Sequence, residues 1–315
     1  MGMIWNEISP TSNGGTELIA RRLERALPES ILDKVQIFPS RIRGEFDMTK
    51  HRILWVHDLE HDPESKHLEN GGWKKFHRIV FVSHWQRQAY IRRYSIPWSK
   101  TAVMLNAVPF VDCDLETKLK DISTINFVYT STPQRGLAIL APVFKKLAEE
   151  DKDIHLHVFS SFKIYGWQDR DEAFAPLYKE IEDHNQMTYY GNVGNDDLRA
   201  KLGDMHVFAY PSIWPETSCM SLMEAMMAGC LCVHPDYAAL PETAANLTMM
   251  YSWQEEPEKH AEVFYKMMKQ AINFIRNGNR GVLEHHLKFQ QMYAGMKYEW
   301  GSRQMEWVHL LQNVL

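Results

Sequence analysis

Glu216 and Glu224 stand eight residues apart in the stretch "PSIWPETSCMSLMEAMMAG", Pro211 to Gly229, and the second lies inside one of the most apolar runs of the chain. Pro211, Pro215, Thr217 and Ser218 are turn and N-cap types, so the pattern predicts a helix from near Thr217 or Ser218 to Gly229. Glu216 then sits on the loop before the helix and Glu224 about two turns into it. Met220, Leu222, Met223, Ala225, Met226, Met227 and Ala228 surround Glu224, and a helix apolar on nearly every face is a buried one. A carboxylate in that setting is costly unless it is hydrogen-bonded. Two adjacent hydroxyls, as on a ribose, offer two O–H donors to one carboxylate; a basic partner in the core, or a side chain reaching solvent, satisfies it equally. The amides at the helix start, around Ser218 to Ser221, suit a diphosphate, with Glu216 on hydroxyls of a group beyond it.

Two other places could hold an anion. Gly14 and Gly15 follow Asn13 between a strand-like and a helix-like segment, where small residues allow a tight turn and exposed N–H groups; an ordinary strand-to-helix turn explains them too. In "TSTPQRGL" Arg135 precedes Gly136 at a helix start, where a guanidinium and backbone amides can converge on phosphate, or where a surface arginine simply stands beside a capping glycine. There is no GxGxxG at the first turn, so a nicotinamide fingerprint is excluded there. His57 ends the strand-like run "RILWVH". The four cysteines form no CxxC pair and the 15 histidines no HExxH spacing, so no metal is expected and the thiols are read as free.

These residues need elements to place them. Short apolar runs, "MIWNEI", "KVQIF", "RILWVH" and "RIVFVS", alternate with helix-like stretches such as "TELIARRLERAL" and "HWQRQAYIRRY". After the polar "VDCDLETKLKDIST" the alternation restarts with "INFVYTS", "IHLHVFS", "MTYYGNV", "HVFAYPS" and "CLCVHP", followed by a long helical tail. Strands alternating with helices predict parallel sheets in an α/β protein. At 315 residues with 45% hydrophobic content, the chain fits two doubly wound, Rossmann-like domains facing a cleft. The expected boundaries are 1–110 for the first domain, 111–123 for a linker, 124–290 for the second domain and 291–315 for a C-terminal helix.

The quoted motifs resemble glycosyltransferase family 4, a family of retaining GT-B enzymes. "PSIWPETSCMSLMEAMMAGCLCV" is similar to the family's E-x₇-E signature, and "NGGTE", "WVHDL", "VSHWQRQAY", "NAVPF", "RGL" and "ALPET" follow in family order. The resemblance implies a nucleotide-diphosphate sugar as co-substrate, with no other cofactor and no metal. It implies Glu224 on the nucleotide ribose, Glu216 on the transferred sugar, and Arg135 with the backbone of Ser218, Cys219 and Met220 on the diphosphate. Gly191, Asn192 and Val193 would lie near the base, Gly14 and Gly15 near the diphosphate, and His57 near sugar and acceptor. The chain departs from the family in offering only Arg135 in "STPQRG", and in having Ser218 and Cys219 where glycine usually follows.

The acceptor is read from charge. The first 110 residues carry 16 Lys+Arg against 12 Asp+Glu, while the whole chain has a net charge of -5. The segment Trp73 to Lys100 mixes basic and aromatic residues, as a site for an anionic membrane surface or DNA does. A lipid-linked sugar or surface polysaccharide is the expected acceptor. A hydroxylated DNA base, or non-catalytic binding of nucleotide sugars, are the competing readings. No apolar stretch is long enough to span a bilayer and no leader is evident, so a cytoplasmic protein is expected, placed peripherally at the inner membrane face if it meets lipid.

Overall fold

The computed structural model describes residues 14–42 and 44–315. The expected strand "MIWNEI" and Asn13 lie outside the described residues. The chain divides into two compact units. The first comprises the described residues up to Val108, Glu216–Met220 and Tyr298–Leu315; the second comprises Pro109–Pro215 and Ser221–Lys297.

In the first unit β1 (Val35–Pro39), β2 (His51–Val56), β3 (Arg78–Phe81) and β4 (Thr101–Val103) pair in parallel and in chain order. Successive side chains of a strand point to opposite faces, and here both faces are covered. Ile37, Ile53, Trp55 and Val80 pack in one cluster with Ile19 and Leu23 of the helix Gly15–Ala26 and with Trp307 and Leu311 of the helix Trp300–Gln312. Phe38, Leu54, Val56, Ile79 and Phe81 pack in the other with Leu68, Phe76 and Tyr90. Burial on both sides is why "RILWV" reads as a continuous apolar run and not as an alternation.

In the second unit six parallel strands stand in the order β10-β9-β8-β5-β6-β7. They are β5 (Ile125–Thr130), β6 (Ile154–Phe159), β7 (Met187–Tyr189), β8 (Val207–Ala209), β9 (Leu231–Pro235) and β10 (Met249–Tyr251). The chain runs outward from β5 through β6 to β7, then returns to lay β8 on the other side of β5. Strand order therefore reverses between β5 and β8. In open α/β sheets the carboxyl ends of the strands at such a reversal leave a crevice where ligands bind.

The polar stretch 111–123 is structured and packs within the second unit. Asp114 caps a short helix, Leu115–Leu119, whose two leucines are buried, and Lys118 Nζ donates to Ala228 O at 2.7 Å. Five residues give too few turns for an apolar period to show.

Candidate functional site

In the second unit the loops after β5 and β8 meet at the reversal of strand order. After Thr130 the chain makes a 3-10 turn, Pro133–Arg135, and enters the helix Leu137–Glu150 through Gly136. Gly136 has φ 131, and a Cβ there would stand 2.2 Å from Pro211 O. Only glycine accepts that conformation without strain, and only glycine lets the two loops approach so closely. Ile213 N donates to Arg135 O at 3.3 Å, and Ser221 Oγ donates to Thr130 O at 2.6 Å. Arg135 is thus fixed at the edge of the crevice, with Nη2 donating to Tyr165 OH at 3.4 Å and its guanidinium 6.0 Å from the Trp214 ring centre. The Oγ1 atoms of Thr130 and Thr132 are buried there and make no hydrogen bond among the described residues.

Glu224 lies on the helix Met220–Met227, whose Leu222, Met223, Ala225, Met226 and Met227 are buried. Its carboxylate meets a basic partner: Arg199 Nη1 donates to Oε1 at 3.2 Å, with side-chain exposures of 11% for Arg199 and 14% for Glu224. The helix starts two to three residues later than capping residue types predict. It stops as expected at Gly229, where φ 67 and the bonds Cys230 N to Ala225 O and Gly229 N to Met226 O make a Schellman turn.

Gly191 follows β7 with φ 63, and its carbonyl accepts from Ser160 N at 3.0 Å. Asn192 is exposed and Val193 half-buried, and the helix Asn195–Leu202, which carries Arg199, begins directly after.

In the first unit His57 leaves the end of β2. Its ring lies 4.6 Å from Trp55, which in turn packs on Trp307 at 4.8 Å. Burial pushes the imidazole pKa down to about 3, so the ring is neutral near pH 7. Nε2 makes no hydrogen bond among the described residues. The main chain is held on both sides: His57 N donates to Ser40 Oγ at 3.1 Å, and His57 O accepts from Thr217 Oγ1 at 2.9 Å. Thr217 therefore tethers the segment Glu216–Met220, in which Glu216 is 4% exposed, Cys219 is buried and Ser218 Oγ is buried without a hydrogen bond among the described residues. Met220 packs on the same cluster as Trp55, and a Cβ on Gly15 would stand 2.6 Å from its terminal methyl. Gly14 stands at the N-cap of the helix Gly15–Ala26 and supplies no side-chain cap of its own.

The comparisons with known proteins bear on this arrangement. Residues 123–270 match the Glycosyl transferases group 1 family. That segment contains Arg135, Gly191, Glu216 and Glu224 together with the reversal of strand order. No curated protein matches the chain. Among solved structures it is similar to a glycosyltransferase from Rickettsia africae ESF-5, at 15% identity and TM-score 0.66, over 95% of this chain and 80% of that one. It is similar to Anabaena Alr3699/HepE in complex with UDP, at 12% identity and TM-score 0.67, over 94% and 82%. It also resembles the pneumococcal O-GlcNAc transferase GtfA in complex with UDP and GlcNAc, at 12% and 0.66, over 96% of this chain and 60% of that one. Identities this low carry the fold: an α/β protein with parallel-sheet Rossmann-like units, matching GT-B glycosyltransferase structures. Family match and fold together support a glycosyltransferase.

Several residues that serve the site escaped the sequence reading. Within the glycosyl transferases group 1 segment these are Arg199 on Glu224, Tyr165 on Arg135 and Ser221 on Thr130. Each acts across a separation of 25 to 91 residues that no local spacing reveals. In the first unit Gln86 carries the loop after His57. Its Nε2 donates to Asp58 O at 2.8 Å and its Oε1 accepts from Val82 N at 2.9 Å. The signal was present in "VSHWQ": Ser83 caps the helix His84–Tyr94 and accepts from Gln86 N, a serine-to-glutamine capping spacing. Among the described residues no group of three or more His, Cys, Asp or Glu is placed to hold a metal ion. No described helix is long and apolar enough to cross a membrane.

Proposed function

We propose that this chain transfers a sugar from a nucleotide-diphosphate donor to an acceptor hydroxyl, with retention at the anomeric carbon, as its resemblance to glycosyltransferase family 4 implies. The observation that carries the reading is the reversal of strand order inside the matched segment, where two interlocked loops hold Arg135. Two of the similar structures are complexes with UDP, which supports a nucleotide-sugar co-substrate.

Arg135 and the amides at the start of the helix Met220–Met227 bind the diphosphate and stabilise the negative charge that grows on it, so that the leaving charge falls to the protein and not to a metal ion. Glu224 takes the ribose hydroxyls, the loop Gly191–Val193 the base, and Glu216 the hydroxyls of the transferred sugar. The backbone amides at the helix start of Gly14 and Gly15 suit phosphate as well. In the reaction the bond from the anomeric carbon to the β-phosphate oxygen breaks, and its electron pair leaves on the nucleoside diphosphate. The acceptor oxygen bonds to the same face of the oxocarbenium-like carbon, and its proton passes to the departing phosphate. His57, held neutral with a pKa of about 3, is too weak a base near neutrality to take that proton efficiently and serves to orient or polarise hydroxyls. A lipid-linked sugar or surface polysaccharide is the proposed acceptor, supported by the basic residues Lys74, Lys75, Arg92 and Arg93 and by Trp98, 61% exposed, in the first unit.

The test is a panel of UDP-, GDP-, ADP- and dTDP-sugars scored for binding and for transfer or hydrolysis. One donor is expected to bind and turn over. Glu224→Ala should weaken binding of its nucleotide about tenfold or more, while Glu216→Ala should cut turnover about 100-fold with bare-nucleotide binding little changed. Binding without turnover or hydrolysis of any donor would leave a binding protein in place of an enzyme.

A further inference from the structure

We infer that Arg199 is the positioning residue for the carboxylate of Glu224, and that through it the loop Gly191–Val193 and the ribose-binding carboxylate act as one specificity element. The inference rests on the reading of Glu224 as the ribose ligand and adds to it a residue that no motif singled out.

The geometry is that of a two-pronged hold. Nη1 of Arg199 donates to Glu224 Oε1 at 3.2 Å, while Nη2 bonds Asp196 one turn earlier on the same helix. Asp196 is almost wholly exposed and Arg199 almost wholly covered, so the guanidinium is anchored from the solvent side and presented inward to Glu224. A planar guanidinium bridging two carboxylates fixes orientation in a way that a lysine ammonium does not. Glu224 stands on a helix whose Leu222, Met223, Ala225, Met226 and Met227 are buried, and the bond from Arg199 gives its carboxylate a direction that apolar packing does not. A carboxylate has about four acceptor positions, so one bond from Arg199 is compatible with two from ribose hydroxyls. The helix that carries Arg199 starts at Asn195, two residues beyond Val193. A shift of the base-side loop therefore moves Arg199, and with it the carboxylate that meets the ribose.

The experiment measures affinity for UDP, GDP and ADP, each beside its 2′-deoxy form, and for dTDP, by calorimetry on the full chain. The wild type should prefer the ribonucleotide of its own base by about tenfold or more, the value of a hydrogen bond to a charged group. Glu224→Ala should abolish the preference. Arg199→Met should reduce it at least threefold, and Arg199→Lys, which keeps the charge and the fold but not the two-pronged geometry, should also reduce it. A merely structural arginine would lower the melting temperature and leave the ratio untouched. An unchanged ratio in Arg199→Lys and in folded Arg199→Met, with the ratio lost in Glu224→Ala, overturns the role of Arg199 alone. Tighter ribonucleotide binding in Arg199→Met overturns it as well, because the arginine would then be obstructing the carboxylate. A ratio that survives Glu224→Ala, or no nucleotide binding by the wild type, brings down the underlying assignment and the inference with it.

Discussion

In the second unit Arg135 sits where strand order reverses, between β5 and β8; in the first, His57 leaves β2 in a sheet whose described strands run in chain order. The two residues are consequently held by different forces. Arg135 depends on backbone interlock, with Gly136 against Pro211 O and Ile213 N on the Arg135 carbonyl. His57 depends on packing against Trp55 and on hydrogen bonds to its main chain from Ser40 and Thr217. A crevice made by topology needs a close backbone approach to bring its loops together. A strand end in a continuous sheet needs side chains to supply the same rigidity.

The contrast is tested most severely at the two glycines. Gly136→Ala must either give up φ 131 or push a Cβ into the Pro211 carbonyl, which is backbone and cannot swing away. A loss of about 4 kcal/mol in denaturant unfolding is expected, from backbone strain and overpacking together. At Gly15 the obstructing atom is the terminal methyl of Met220, the far end of a flexible side chain. Gly15→Ala should therefore cost less than about 1 kcal/mol. Equal losses at the two positions would show that backbone interlock is not what distinguishes the units.

The same contrast separates what could be read from the sequence from what could not. Strands buried on both faces gave unmistakable runs such as "RILWVH" and "INFVYTS", and the stop at Gly229 was legible because a left-handed turn selects glycine. The edge strand β10 was missed: three residues, Met249–Tyr251, with only Tyr251 buried, leave neither a run nor a period. The helix start is displaced to Met220, because the capping types Thr217 and Ser218 stand in the approach to the helix, where Thr217 Oγ1 donates to His57 O. Burial and spacing left Glu224 open among a diol, solvent and a basic partner. Folding brings it to Arg199, which lies 25 residues away in sequence and has no spacing relation to it.

Acid sharpens the comparison at a second level, because each unit holds an imidazole neutral near pH 7. In the second unit His234 is fully covered, with Nε2 and Thr248 Oγ1 at 2.8 Å and its pKa pushed down to about 4 by burial. The unfolded chain takes up that proton near pH 6.5 and the folded chain only near 4. Its contribution is therefore intact above about pH 6.5 and lost progressively as the pH falls toward 4, to a total of about 3 kcal/mol. Urea unfolding at pH 7, 5.5 and 4.5 should show this slope, and His234→Gln, which stays neutral, should reduce it, the remainder coming from His157 and His206, also pushed down to about 4 by burial. A slope unchanged in the variant would place the acid sensitivity on other groups.

A smaller effect than at Gly136 or His234 is expected at His57 itself. With a pKa of about 3 in the folded protein, it carries no charge to lose over the neutral range and enters turnover through orientation or polarisation. His57→Ala should lower kcat about tenfold, a barrier change of about 1.4 kcal/mol, while the shape of the pH–rate profile between pH 5.5 and 8 stays that of the wild type. A general base would behave otherwise: its removal should erase an acid limb in that range and typically cost 100-fold or more in rate, at the level of about 10²–10⁴. Because Thr217 bonds to the carbonyl of residue 57 and not to its ring, the variant keeps the tether on Glu216 to Met220. A large fall in kcat accompanied by loss of the acid limb would therefore assign His57 to proton transfer, and would make the packed strand end of the first unit, in place of the departing phosphate, the source of the base.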